Sequence, residues 1–586
     1  MNRSCKVFGA LCLSELRWRW RVESHHYCSS AATQNLSDID EEMRILATQV
    51  FPERWMSILA SIVCVLCALC ASAAEVPKPE RHVVVVVWDG MRPDFVSQEN
   101  TPALWKLANE GVVFRNHHAV YPSATNVNGT AIATGVYPGH SGLIANHDYR
   151  PEINSRKSVD VEIPAVVEKG DELSGGKYIS IPTIAEIVQH AGRRTAIATA
   201  KTVGLLLDRH PFDSAAPRSG QVVDPSHAKN SVTVFAGESR PRDALNPIVH
   251  ALGPFPPFGQ HTEGDKWTTK AFTDFLWKDG VPVFSLLWLG DPDLTQHGSA
   301  PGARPALAAI KSSDENLAAV LSALDRQGAR ETTDVFVVSD HGFSTIERSV
   351  DLRKILNDAG FTAKTEFSDE PKPGEIMLVG NGGTVLFYVV NHDAPVTRRL
   401  VEFLQQSDFA GVIFTKEPTE GTFGLDQVKI ECPHAPDIVM AFRWNDSKNQ
   451  FGVPGMIDAD WQRGAGKGTH ATLSRFDMHN TLIAAGPDFR RGYTDELPSG
   501  NVDLAPTILR ILGITSPQSA SGGDGRILSE AMVNTDPATA GLKPETKMVE
   551  ATKTFPRGTW QQSLQISRVG STEYLDEGNG RFEMKR

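Results

Sequence analysis

Residues 82–88 read His-Val-Val-Val-Val-Val-Trp, an apolar run without polar alternation that stops abruptly at Asp89-Gly90. A strand with one solvated face alternates in polarity, so this run suits a central strand buried on both faces. Comparable runs recur at 195–199, 283–289, 335–339 and 481–485, and helical patterns lie between them at 101–109, 181–190, 306–324 and 504–512. Alternating strands and helices predict an α/β fold, with a mostly parallel central sheet covered by helices on both faces. Residues 351–444 read differently. Helix-like stretches at 352–359 and 395–407 mix with strand-like stretches at 384–390, 411–415 and 437–442, which predicts a smaller α+β insertion. It divides the core into residues 81–350 and 445–530. The tail, 540–586, carries alternating residues from 558 onward and a predicted hairpin turn at 576–580 (Asp-Glu-Gly-Asn-Gly).

The cysteines separate the N-terminus from this body. Six of the seven precede residue 75, and only Cys432 follows. The body therefore has no internal disulfide and no thiolate metal cluster, so any metal there must be held by histidines and carboxylates. Residues 56–74 carry the marks of a signal peptide: Arg54 upstream, an apolar stretch from Ile58 to Cys70, then Ala71-Ser72-Ala73-Ala74. The stretch is too short for a good membrane span. An exported, periplasmic or extracellular protein is expected, with no stable membrane span. Met56 or Met43 fits an initiator better than Met1, which makes residues 1–55 a misannotated or disordered extension. The net charge of −12 argues against a nucleic-acid polymer as partner, and means that an anionic substrate needs local positive charge.

Acids and imidazoles cluster near the apolar runs. Asp89 ends the first. Asp293 and His297 follow the run at 283–289, within Asp291-Pro292-Asp293-Leu294-Thr295-Gln296-His297. Asp340 and His341 end the run at 335–339, and His470 shortly precedes the run at 481–485. Each has an ordinary reading alone: a turn or helix-cap aspartate, a helix-surface i,i+4 pair, a solvated loop histidine. Together they are a set of three carboxylates and three imidazoles placed where open α/β sheets bind ligands, at the strand carboxyl ends. Such a set suffices for two zinc-like cations once a bridging group is added. Thr125 begins a helix-like stretch after Tyr121-Pro122-Ser123-Ala124. A helix N-terminus favours an anion, and a nearby cation lowers the pKa of a hydroxyl enough to make it a nucleophile. The competing reading of Thr125 is a simple helix cap.

Trp88-Asp89-Gly90, Pro122-Ser123-Ala124-Thr125, the segment from Ala133-Thr134-Gly135 to His140-Ser141-Gly142, Asp291-Pro292-Asp293…His297-Gly298, Ser339-Asp340-His341-Gly342 and Gly468-Thr469-His470 occur in an order and spacing that resembles the type I phosphodiesterase/nucleotide pyrophosphatase branch of the alkaline phosphatase superfamily. The resemblance covers residues 81–514. It implies a three-layer alkaline-phosphatase-like core with a cap insertion, and two divalent cations, Zn²⁺ by family habit. It further implies that Asp89, Thr125, Asp340 and His341 hold one cation, that Asp293, His297 and His470 hold the other, and that Asn146 bonds a phosphoryl oxygen, a role for which nearby Asn128 fits the block less well. The implied reaction is metal-dependent hydrolysis of phosphodiester or pyrophosphate bonds in a small substrate such as a nucleotide diester, through a covalent phosphothreonine. No Cys/Ser-x-Pro-x-Arg motif is present, which excludes a formylglycine sulfatase. Ala200-Lys201 is similar to a motif of phosphomonoesterases and phosphonoacetate hydrolases in the same superfamily, although their second basic residue is replaced by Val203. Lys201 therefore keeps a monoesterase or phosphonate hydrolase open as the alternative. A phosphotransferase, or an exported binding protein that has lost the chemistry, are the remaining readings.

Overall fold

A computed structural model describes residues 80–209, 230–515, 523–534 and 541–585. The predicted signal peptide and the extension before it lie outside these residues. The central feature is a nine-stranded sheet in the order Tyr493–Gly500, Val112–His118, Leu482–Ala485, Thr333–Val338, His82–Trp88, Phe284–Leu289, Thr195–Thr199, Val232–Phe235, Glu238–Arg240. His82–Trp88 sits near its middle, parallel to both neighbours. Val83, Val85 and Val87 enter one apolar cluster while Val84, Val86 and Trp88 enter another, which is why the run shows no alternation. Helices Leu504–Leu512 and Ile184–His190 contribute to the first cluster, and Pro102–Glu110 and Arg304–Arg326 to the second. This is the three-layer α/β arrangement.

The run at 481–485 departs from the parallel scheme. Leu482–Ala485 is antiparallel to both Thr333–Val338 and Val112–His118. Its beginning, not its end, therefore lies at the carboxyl edge of its neighbours, and Ser339 N–H bonds Thr481 O there at 2.8 Å. The inversion explains how His470, which precedes its strand, arrives at the same edge as residues that follow theirs.

A second sheet has six strands, in the order Ala363–Lys364, Ile376–Gly380, Thr384–Val389, Ile438–Phe442, Ala410–Thr415, Phe423–Gly424, with helices Leu352–Asp358 and Ala394–Gln405 packed on it. A four-stranded sheet, Trp444–Lys448, Pro454–Ala459, Ser344–Ser349 and Gly468–Thr469, has no counterpart in the sequence reading. Its first strand is mostly exposed and polar, so no hydrophobic pattern marks it.

The tail corrects an expectation. There is no turn at 576–580. Glu545–Phe555, Gly558–Val569 and Thr572–Met584 form a three-stranded meander, and 576–580 runs inside its last strand. The glycines taken for a turn serve close packing: a Cβ on Gly580 would lie 2.0 Å from Gly411 O and 2.7 Å from the Trp560 ring. No helix among the described residues is long and apolar enough to cross a membrane.

Candidate metal centre

The carboxyl edge of the large sheet gathers the predicted residues. Asp89 follows His82–Trp88, and Asp340 and His341 follow Thr333–Val338. Asp293 and His297 lie one turn apart on helix Asp293–Ser299, whose first N–H bonds Asp89 O at 3.0 Å. Gly468–Thr469 pairs with Ser344–Thr345, which brings His470 beside the His341 loop. Thr125 is the first residue of helix Thr125–Thr134. Two triads result, Asp89–Asp340–His341 and Asp293–His297–His470, each with ligand atoms within 4.8 Å of one another. The rings of His341 and His470 stack at 3.7 Å, so the triads are adjacent.

The hydrogen bonds around each imidazole settle which nitrogen faces inward. Nδ1 of His297 lies 3.0 Å from Gly468 O, that of His341 2.8 Å from Gly342 O, and that of His470 2.8 Å from Ser123 O. Carbonyl oxygens only accept, so each Nδ1 carries the hydrogen and each neutral ring turns its Nε2 lone pair toward the carboxylates. His297 Nε2 and His470 Nε2 stand 3.2 and 3.5 Å from Asp293 Oδ1, and His341 Nε2 stands 3.3 Å from Asp340 Oδ2. Those two carboxylate oxygens are buried without a hydrogen-bond donor. Acceptors facing acceptors in a buried site are unfavourable unless a cation lies among them. The donor set, nitrogen and oxygen with three protein ligands per group, fits two zinc-like ions. Burial, with His341 adding to it, holds the His470 pKa well below its ordinary value and keeps it in the neutral ligating form.

Thr125 Oγ1 lies 3.5 Å from Asp89 Oδ1, 3.4 Å from His341 Nε2 and 3.3 Å from Lys201 Nζ. Lys201 Nζ also reaches Asp89 Oδ2 at 2.9 Å and Asp293 Oδ2 at 3.1 Å, spanning the triads. Burial alone would lower its pKa, but Asp293 and Asp89 outweigh that and raise it well above the usual value, so the ammonium stays charged. For Asp293, burial acts upward, but its neighbours, the Lys201 ammonium foremost, outweigh it and hold it well below the carboxylate range. Asn146 Oδ1 accepts the Asn126 N–H at 2.8 Å. The helix N-terminus thus spends that donor on Asn146 and fixes its amide, whose Nδ2 end remains the donor. Asn128 is spent on structure: its Nδ2 donates to Val120, Pro122 and Ala124 carbonyls.

Sequence reasoning missed the residues that hold the site from behind. Trp288 Nε1 donates to Asp89 Oδ2 at 2.8 Å. Asn501 Nδ2 donates to Asn128 Oδ1 at 2.9 Å and to Asp340 O at 2.6 Å, tying the turn before Thr125 to a predicted ligand. Its Oδ1 accepts from His117 Nε2 at 3.0 Å and Asn480 Nδ2 at 3.3 Å. Asn501 immediately follows strand Tyr493–Gly500, whose sequence YTDELPSG is no apolar run, so the rule that singled out Asp89 does not reach it.

The family model "Type I phosphodiesterase / nucleotide pyrophosphatase" matches residues 83–445. Similar curated proteins include rat ectonucleotide pyrophosphatase/phosphodiesterase family member 7, 20% identical over 80% of this chain and 92% of its own length. A bis(5'-adenosyl)-triphosphatase of Xenopus laevis is 21% identical over 78% and 83% respectively. Among solved structures, human ectonucleotide pyrophosphatase/phosphodiesterase 5 aligns with a TM-score of 0.54 at 17% identity, over 78% of this chain and all of its own. An inactive threonine-to-alanine form of the murine protein, in complex with AMP, aligns at 0.51 and 18%, over 74% and 96%. These likenesses show a shared fold.

Proposed function

Because this chain belongs to the type I phosphodiesterase/nucleotide pyrophosphatase family, we propose that it is a hydrolase of phosphodiester or pyrophosphate bonds in small, nucleotide-like substrates, with Thr125 as nucleophile. The observation that carries this reading is a pair of adjacent Asp/His triads, one of them in contact with a threonine hydroxyl. Asp89, Asp340 and His341, with Thr125, would hold one divalent cation, and Asp293, His297 and His470 the other, zinc by the character of the donors. Such ions, when bound, supply Lewis acidity that lowers the pKa of a hydroxyl and offsets charge on phosphoryl oxygens.

The chain's own residues then act as follows. Asp89 and His341 orient Thr125 Oγ1 for attack on phosphorus. The P–Oγ1 bond forms as the bond to the leaving oxygen breaks, giving a phosphothreonine. The Thr125 proton goes with the departing oxygen; attack by water then breaks P–Oγ1, its hydroxyl stays on phosphorus and its other proton restores the Thr125 hydroxyl. Asn146 Nδ2 donates to a non-bridging oxygen, and the six-stranded sheet borders the site as a cap that shapes substrate choice. A nucleotide substrate is supported by the relative named for a bis(5'-adenosyl) triphosphate and by the neighbour bound to AMP.

The test is kcat/KM for bis(p-nitrophenyl) phosphate, p-nitrophenyl phosphate and a nucleotide diester with zinc present. The diesters should be preferred. A large preference for the monoester would install the second reading, a phosphomonoesterase or phosphonate hydrolase. Lys201 favours that reading, because an ammonium 3.3 Å from Thr125 suits a substrate with an extra negative charge. In that case Lys201→Ala would depress monoester turnover more than diester turnover. We also propose export, on the pattern at 56–74, checked by finding a mature N-terminus near Ala74.

A further inference from the structure

Away from the two triads, a third group of metal-ligand type lies where the C-terminal sheet meets the core, with His118 and Asp576 buried and His479 half-buried. His118 ends strand Val112–His118, His479 pairs with it through an isolated backbone bridge, and Asp576 lies in strand Thr572–Met584. Their ligand atoms lie within 4.8 Å of one another, the spacing that the two triads meet, and the group shares no residue with them. His118 repeats the tautomer logic of the ligand histidines. Nδ1 is 2.9 Å from Ser499 O and therefore carries a hydrogen, while Nε2 faces Asp576 Oδ1 at 2.9 Å. The other oxygen of Asp576 is fixed by Gln565 Nε2 at 3.0 Å and Ser567 Oγ at 2.8 Å, the outer support that ligating carboxylates carry.

His479 decides between two accounts of this group. An imidazolium at His118 would satisfy Asp576 as a plain ion pair, but it gives His479 no role. The His479 ring is half-buried 4.4 Å from that of His118, and among the described residues neither of its nitrogens has a protein hydrogen-bond partner. We propose that His118, His479 and Asp576 bind a third divalent cation of the zinc class, one that is structural and clamps the C-terminal sheet to the core. A two-nitrogen, one-oxygen set matches that class.

The experiment uses the full chain, equilibrated with zinc chloride and freed of excess. Zinc per chain is measured by plasma mass spectrometry, and melting temperature with and without a chelator. His479→Gln should lose one zinc per chain and part of the zinc-dependent rise in melting temperature, while retaining diester turnover. His479 takes no part in the His118–Asp576 contact, so the variant keeps the ion pair and should fold. Asp576→Asn should lose the same equivalent. Equal zinc content in wild type and His479→Gln overturns the third site and leaves the ion pair. Asp293→Asn keeps this result separate from the catalytic reading: if only the latter fails, Asp293→Asn leaves the zinc count unchanged while His479→Gln still lowers it.

Discussion

At Thr125 the hydroxyl contributes little to the fold and everything to the proposed reaction. Its neighbours are Asp89, His341 and Lys201, and none of them depends on it for burial. Thr125→Ala should therefore lower kcat for a diester by about 10³-fold or more, with melting temperature and zinc content close to wild type. Parallel turnover assays and thermal melts check this, and near-normal turnover would remove Thr125 from the chemistry. The residues legible in the sequence were those whose chemistry is ordinary singly and informative only as a set beside the apolar runs: Asp89, Asp293, Asp340 and the three histidines. Trp288 and Asn501 were not legible, and Asn128 only as an alternative to Asn146, because neither amide nor indole signals a hydrogen-bond partner distant in sequence. Asn501 and Asn128, for instance, are 373 positions apart.

Strand direction carries the argument at the scale of elements. Apolar runs revealed where strands lie, but they could not reveal that Leu482–Ala485 is inverted, since burial on both faces looks alike in either direction. Asn501 closes the seam between helix Thr125–Thr134 and the Asp340 loop. Asn501→Ala would strip donors from Asn128 Oδ1 and Asp340 O and the acceptor from His117, each loss costing about 1–3 kcal/mol where no water enters. The expected outcome is a lower melting temperature together with a 10–100-fold fall in kcat, roughly the range for residues behind metal ligands, and little change in KM. The same seam predicts a pH dependence. Burial lowers the His117 pKa from 6.5 to about 3, so the unfolded chain binds the proton more readily. Stability from this group is complete above pH 6.5 and falls as pH drops toward 3, with a slope of about 1.4 kcal/mol per pH unit. Denaturant titrations across that interval, compared with His117→Gln, would show whether the slope belongs to this residue.

Across the whole molecule, two features outside the apolar pattern of the large sheet hold the parts together. The first is charge. Without cations, Asp89, Asp293 and Asp340 share one buried neighbourhood with a single lysine, and burial together with Asp340 raises the Asp89 pKa well above its usual range. Chelation should therefore abolish turnover and lower the melting temperature together, and zinc should restore both. The second is the tail, read from sequence as a terminal hairpin and found as an integral wall. Trp560 is fully buried among residues of the six-stranded sheet and donates to Gly421 O at 3.0 Å. Gln562 bonds both the N–H and the carbonyl of Ile413, so the meander continues the hydrogen bonding of that sheet's strand Ala410–Thr415. Trp560→Ala would open a large cavity at this junction and cost about 3–5 kcal/mol, read as a lower urea midpoint. Because the junction bears on the second sheet and not on the triads, kcat should hold while KM rises. Asn501→Ala predicts the opposite split, so the pair of variants separates the element that shapes substrate binding from the network that positions the reacting groups. An unchanged urea midpoint in Trp560→Ala would make the tail an appendage rather than a wall.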